Sequence, residues 1–65
     1  MTWNADLTKA PRGEWFIVRG EGSPIVPCFF DDATAYFAGA DDIGLPILRA
    51  RDITGLTGME WNVLL

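Results

Sequence analysis

Cys28 is the only thiol in a chain of 65 residues that has no histidine. A nucleophilic thiol needs a base or a cation beside it. Val26, Pro27, Phe29 and Phe30 around it supply neither, so Cys28 reads as a small buried apolar residue. Without histidine no nucleophile–base pair can be drawn, and one cysteine cannot build a zinc site. The residues therefore point away from an enzyme: no catalytic residue, no cofactor and no metal ligand is expected.

Two acidic pairs, Asp31-Asp32 and Asp41-Asp42, are the next candidates, because paired carboxylates hold divalent cations or divide acid and base roles. Neither pair has the alternating acidic spacing and central glycine of a calcium loop. On a helix the pairs would lie about 14 Å apart, too far for one ion. They read as a helix cap and a solvated loop. Gly20-Glu21-Gly22-Ser23 has the glycine content of a phosphate loop, but it lies between two strand-like segments and lacks the lysine of a P-loop.

Arg49 and Arg51 are two apart in a strand-like run, so their side chains share a face. Together with Arg19 they could contact a phosphate or carboxylate. Their alternative role is to pair with the nine Asp and Glu residues. Three Trp, four Phe and one Tyr are more aromatic residues than a core this small must bury. Large aromatics anchor protein interfaces, which makes Trp3, Trp15, Trp61 and Tyr36 the candidate interface residues.

Composition narrows the classes. A chain of this length is one domain, residues 1–65, near the lower limit of independent folding. With a single cysteine and no histidine, neither a disulfide nor a zinc site can support it. Packing and self-association remain, and a homo-oligomer is expected. The net charge of −4 repels phosphate backbones, so nucleic acid is not an expected partner. No stretch approaches the roughly 20 apolar residues of a membrane helix, and the first residues lack the basic start and apolar run of a signal peptide. A reducing cytoplasm is the expected compartment.

The elements that must position these groups begin with Trp15–Arg19 and Pro24–Phe30, aromatic and β-branched runs separated by the glycine loop. They predict a hairpin over 15–30. Trp15 and Ile17 lie on one face of its first strand, Phe16 and Val18 on the other; Ile25 and Phe29 oppose Val26, Cys28 and Phe30. Pro24 and Pro27 cannot donate to a ladder, so the second strand needs an unpaired stretch or an edge position. Over 31–44 the period changes: Ala33, Tyr36, Phe37, Ala40 and Ile43 follow helical spacing, with Asp31 or Asp32 as cap and Gly44 at the end. Gly39 and the Asp41-Asp42 pair oppose that helix, and the competing reading is a hairpin turning at Asp31-Asp32. Leu45–Arg51 and Glu60–Leu65 complete the strands, with Trp61 and one or both of Val63 and Leu64 facing the core. The expected fold is α+β, a small antiparallel sheet in β-β-α-β-β order with one short helix on one face and the other face uncovered.

Trp3, the Ala10-Pro11-Arg12-Gly13 turn before a strand, and Trp61 near the end resemble short phage and prophage proteins of unknown function. Those open on a Trp followed by an Ala-Pro-Arg-Asp-Gly turn and close on a Trp in a Pro-rich ending. Here no Asp precedes Gly13 and no proline follows Trp61. The resemblance covers about the first 18 residues and the last five, and implies a mobile-element origin. Three functions then fit: a small acidic protein that occludes a host protein, as anti-defence inhibitors do; a homo-oligomer that sequesters a small phosphorylated ligand through Arg19, Arg49 or Arg51; and a non-catalytic structural subunit.

Overall fold

The computed structural model describes residues 2–20, 22 and 24–64. Five strands, β1 (Trp15–Gly20), β2 (Val26–Asp31), β3 (Thr34–Ala40), β4 (Pro46–Asp52) and β5 (Met59–Val63), form one antiparallel sheet in the order β4-β3-β2-β1-β5. Two single-turn 3-10 helices, Leu7–Lys9 and Ile53–Gly55, are the only helical segments among the described residues. The fold is all-β, not the expected α+β.

The expected helix over 31–44 is replaced by a strand between two turns. Asp32 takes a φ of +54°, a left-handed conformation that aspartate tolerates better than most residues. Asp32-Ala33 thus forms a two-residue turn closed by the Asp31–Thr34 pair, one position later than the hairpin reading placed it. Thr34, Tyr36 and Phe37 favour strands, and burial along β3 alternates, with Ala35 and Phe37 inward. Of the five residues in the helical spacing, Ala33, Ala40 and Ile43 are exposed. At the far end Asp41 makes a turn: its Oδ1 accepts from the amides of Ile43 at 3.0 Å and Leu45 at 2.8 Å. Gly44 supplies the φ of +85° that this turn requires.

The hairpin expected over 15–30 forms, with Trp15 opposite Phe29 and Val18 opposite Val26. β2 is central, between β1 and β3, and Pro27 shapes its pairing. The amide of Gly13 donates to the Phe30 carbonyl at 3.3 Å, which fixes Phe30 toward the β1 side. Backbone groups alternate along an antiparallel strand, so Phe29 and Pro27 turn toward β3, where Pro27 has no N–H to give. Pairing between β2 and β3 stops at Cys28–Phe37, while β3 continues to Ala40 paired with β4 alone. The unpaired stretch expected from the prolines is therefore present, and it separates the two strands at that end of the sheet.

One face of the sheet carries the core: Phe16, Val18, Cys28, Phe30, Ala35 and Phe37. Phe16 and Phe30 meet edge to face with centres 4.9 Å apart. Loops, not a helix, cover this inner face. Ala10, Leu7, Ile53 and Leu56 pack on it from the N-terminal arm and from the connection between β4 and β5. Arg12 lies over the Phe30 ring at 5.0 Å. Both 3-10 turns start on an aspartate whose carboxylate takes the amide two residues on, Asp6 from Thr8 and Asp52 from Thr54, each at 3.0 Å. The arm is tied to β5 by backbone bonds between Asn4 and Trp61 at 3.0 and 2.9 Å.

Candidate binding surfaces on the two sheet faces

The outer face is set by the residues that alternate with the core. Register places Trp15, Phe29, Tyr36 and Ala50 side by side across β1, β2, β3 and β4. Cross-strand neighbours on one face have their Cβ atoms about 5 Å apart, so these four make a continuous row. Ile17 and Leu48 flank it on β1 and β4. The row is partly open to solvent: Trp15 is 40% exposed and Leu48 57%, while Phe29, Tyr36 and Ile17 are half-buried. Acidic residues border it, Asp31 and Asp52 at one end on either side of Thr34 and Glu60 toward the other.

Glu60 is bound to Arg19. The Arg19 Nε donates to Glu60 Oε1 at 3.3 Å, and its guanidinium stacks on Trp3 at 4.2 Å from the ring centre. Both partners are about 40% exposed, so the pair contributes little to stability. Its effect is local: it neutralises Glu60 and holds Trp3 beside β1 and β5.

The inner face is not wholly filled. Where β2 and β3 separate, a cleft of about 480 Å³ is lined by Val18, Val26, Phe37 and Met59 with Arg49 and Arg51. β4 and β5 are opposite edges of the sheet, so a cleft shared by Arg49 and Met59 shows how far the sheet curls. The register that pairs Arg49 with Phe37 and Arg51 with Ala35 puts both arginines on the core side. Arg19 borders the cleft, but alternation turns its side chain to the outer face. The structure therefore brings Arg49 and Arg51 together and separates Arg19 from them.

The remaining candidates resolve as structural. Cys28 is fully buried, and burial raises its thiol pKa to about 11, which removes the thiolate that chemistry would need. The acidic pairs stand at the two ends of β3, about 20 Å apart for a strand of that length, and no described group of His, Cys, Asp and Glu residues could hold a metal ion. Glu21 and Ser23 of the glycine loop lie outside the described residues. Of the four aromatic candidates, Trp15 and Tyr36 share the outer row and Trp3 sits under Arg19. Trp61 is half-buried against the core: its ring meets Phe16 at 6.1 Å and 75°, and its Nε1 donates to the Asp6 carbonyl at 2.9 Å.

Phe29, Ile17 and Leu48 are the surface residues that the sequence did not single out. Alternation grouped Phe29 with Ile25 and Trp15 with Ile17, but it could not say which group faced out. No helix of the described residues is long and apolar enough to cross a membrane. Comparison of the chain with protein-family models, curated proteins and solved structures returns no match.

Proposed function

We propose that this chain is a small, non-catalytic acidic binding protein that occludes a partner protein with the outer face of its sheet. The outer row of Trp15, Phe29 and Tyr36, partly open to solvent, carries the reading, because aromatic residues in an apolar patch are the usual centre of a protein interface. The partner is a protein whose apolar patch is bordered by lysine or arginine, complementing Asp31, Asp52 and the net charge of −4. A cytoplasmic setting accords with a single reduced, buried thiol. A mobile-element origin, with a host protein as the target, accords with the resemblance carried by Trp3, Ala10–Gly13 and Trp61.

The test is a photo-reactive phenylalanine analogue placed at Tyr36 and, separately, at Ile43 in the turn between β3 and β4. The reading expects a cross-link to one basic-rimmed protein from position 36, absent at position 43 and lost when Trp15→Glu is added. Self-cross-linking alone would replace the partner with a second copy. Cross-links only from position 43 would remove the outer face as the interface.

A further inference from the structure

The inner cleft lies on the face opposite to the proposed interface, and its chemistry is different. The chain has five cationic side chains, and three have partners of their own. Arg19 holds Glu60, Arg12 lies on Phe30 and donates to the Ala10 carbonyl at 3.3 Å, and Lys9 lies near enough to Asp6 to help hold its carboxyl low. Arg49 and Arg51 are the remaining two. Among the described residues neither has a carboxylate partner; Arg49 reaches only the Ala40 carbonyl at 3.5 Å. In a chain with nine acidic residues, two guanidinium groups at the mouth of one cleft with no carboxylate partner among the described residues form a local positive site.

Geometry makes the pair usable. Residues two apart on a strand have Cα atoms about 7 Å apart, and both side chains leave the same face, so two guanidinium groups can converge on one oxyanion. Below them lie the half-buried Val26 and Met59, over the buried Val18 and Phe37, an apolar floor. Gly39 has no Cβ, and one built there would stand 3.8 Å from Arg49 Nε, so the guanidinium rests directly along β3. The opening itself follows from Pro27, whose missing amide ends the β2–β3 ladder. The volume of about 480 Å³ is in the range of small-molecule sites, which combine apolar walls with few polar groups.

We propose that this cleft binds a small organic anion, with its carboxylate or phosphate held by Arg49 and Arg51 and its apolar body against Val18, Val26, Phe37 and Met59. The whole site lies within one protomer and does not need Arg19 or a second copy.

The test is titration of the ¹⁵N-labelled protein with phenyl phosphate, benzoate, phenol and inorganic phosphate, followed by amide shifts. The expected result is saturable shifts of Val18, Gly20, Val26, Gly39, Arg49 and Arg51 with phenyl phosphate or benzoate. Phenol and inorganic phosphate, each lacking half of the ligand, should bind at least about tenfold more weakly. Phenyl phosphate against benzoate identifies the head group. Arg49→Gln/Arg51→Gln should weaken binding by about tenfold or more, the loss of charge-assisted hydrogen bonds, with shifts far from β4 unchanged. Pro27→Val, which restores an amide toward β3 and leaves both arginines in place, should also weaken it. No saturable shift with either aromatic anion, or equal binding by the arginine variant, would overturn the proposal.

Discussion

Trp15 and Phe29 face each other across β1 and β2 with ring centres 5.4 Å apart and planes tilted by 53°, on the side of the sheet away from the core. Tilted aromatic pairs of this kind contribute about 0.5–1.5 kcal/mol beyond the area they bury. The contact orders two large side chains on the solvent side of the sheet, Trp15 exposed and Phe29 half-buried. Ordered aromatics lose less entropy on binding, so the pair is a surface prepared for contact as well as a local stabiliser.

Trp15→Ser should therefore separate the two roles. The stability loss is expected to be about 1–2 kcal/mol, since Trp15 is 40% exposed and only part of its burial and ring contact is removed. Partner cross-linking through position 36 should disappear. Chemical denaturation reads the first effect and the cross-linking assay the second. A loss of binding accompanied by complete unfolding would mean that Trp15 belongs to the core.

How much of this was legible follows from individual residues. The 15–30 hairpin, β4, β5, the buried state of Cys28 and the shared face of Arg49 and Arg51 were readable, because strand periodicity and local composition set them. Residues 31–44 read as helical because β3 carries apolar residues on both faces, Ala35 and Phe37 inward and Tyr36 and Ala38 outward, and a helical spacing can be drawn through such a run. What decides between helix and strand is the left-handed backbone at Asp32 and the Asp41 turn, neither of which a hydrophobic pattern records. Trp61 faces the core, and Val63, paired with Phe16, lies on the same face but is 49% exposed; Leu64 is 53% exposed. Arg19 was grouped with Arg49 and Arg51 by charge alone. Its position one residue from Val18 puts it on the other face, and that assignment needed to know which face of β1 is inside.

Cys28 makes stability fall at alkaline pH. Burial raises its thiol pKa from 9.0 to about 11, so the folded state resists ionisation that the unfolded state accepts. The stabilising contribution is fully present below pH 9.0 and is lost as pH rises toward about 11. Melting temperature measured across that window should fall more steeply for the wild type than for Cys28→Ala. Native Cys28 should also react with a thiol reagent no faster than the protein unfolds. Rapid labelling of folded protein would contradict the burial argument.

Asp6 and Asp52 act at the acidic end. The hydroxyl of Thr8 donates to Asp6 at 2.6 Å and that of Thr54 to Asp52 at 2.8 Å. These bonds, with the backbone amides of the same threonines, hold both carboxyl groups below the ordinary value of 3.8. Each contribution is present above pH 3.8 and is lost as pH falls through the lowered folded values. Asn caps a helix nearly as well as Asp and does not ionise. Asp6→Asn/Asp52→Asn should thus leave the melting temperature near neutral pH almost unchanged and flatten its decline below pH 4. An identical acid profile in the variant would place the sensitivity in other carboxylates.

Trp61 holds the N-terminal arm to the sheet and does so in three ways. Its backbone pairs with Asn4, its indole N–H donates to the Asp6 carbonyl, and its ring packs edge-on against Phe16. Trp61→Phe keeps the first and most of the third. It should cost about 0.5–1.5 kcal/mol for the one hydrogen bond, and water can reach the freed carbonyl because Asp6 is exposed. Trp61→Ala also empties the space beside Phe16, and since Trp61 is half-buried the cost should be about 2–4 kcal/mol, near the lower end of large-to-small core changes. Domains of this size have about 5–15 kcal/mol in all, and each kcal/mol lowers the midpoint by about 4–8 °C. Thermal melts should therefore rank wild type above Trp61→Phe and Trp61→Phe well above Trp61→Ala. Limited proteolysis should find residues 4–10 cut first in the alanine variant, because its arm has lost the indole bond to the Asp6 carbonyl and β5 has lost the ring packed on Phe16. Equal protease resistance in all three would show that the backbone bonds of Asn4 alone fix the arm.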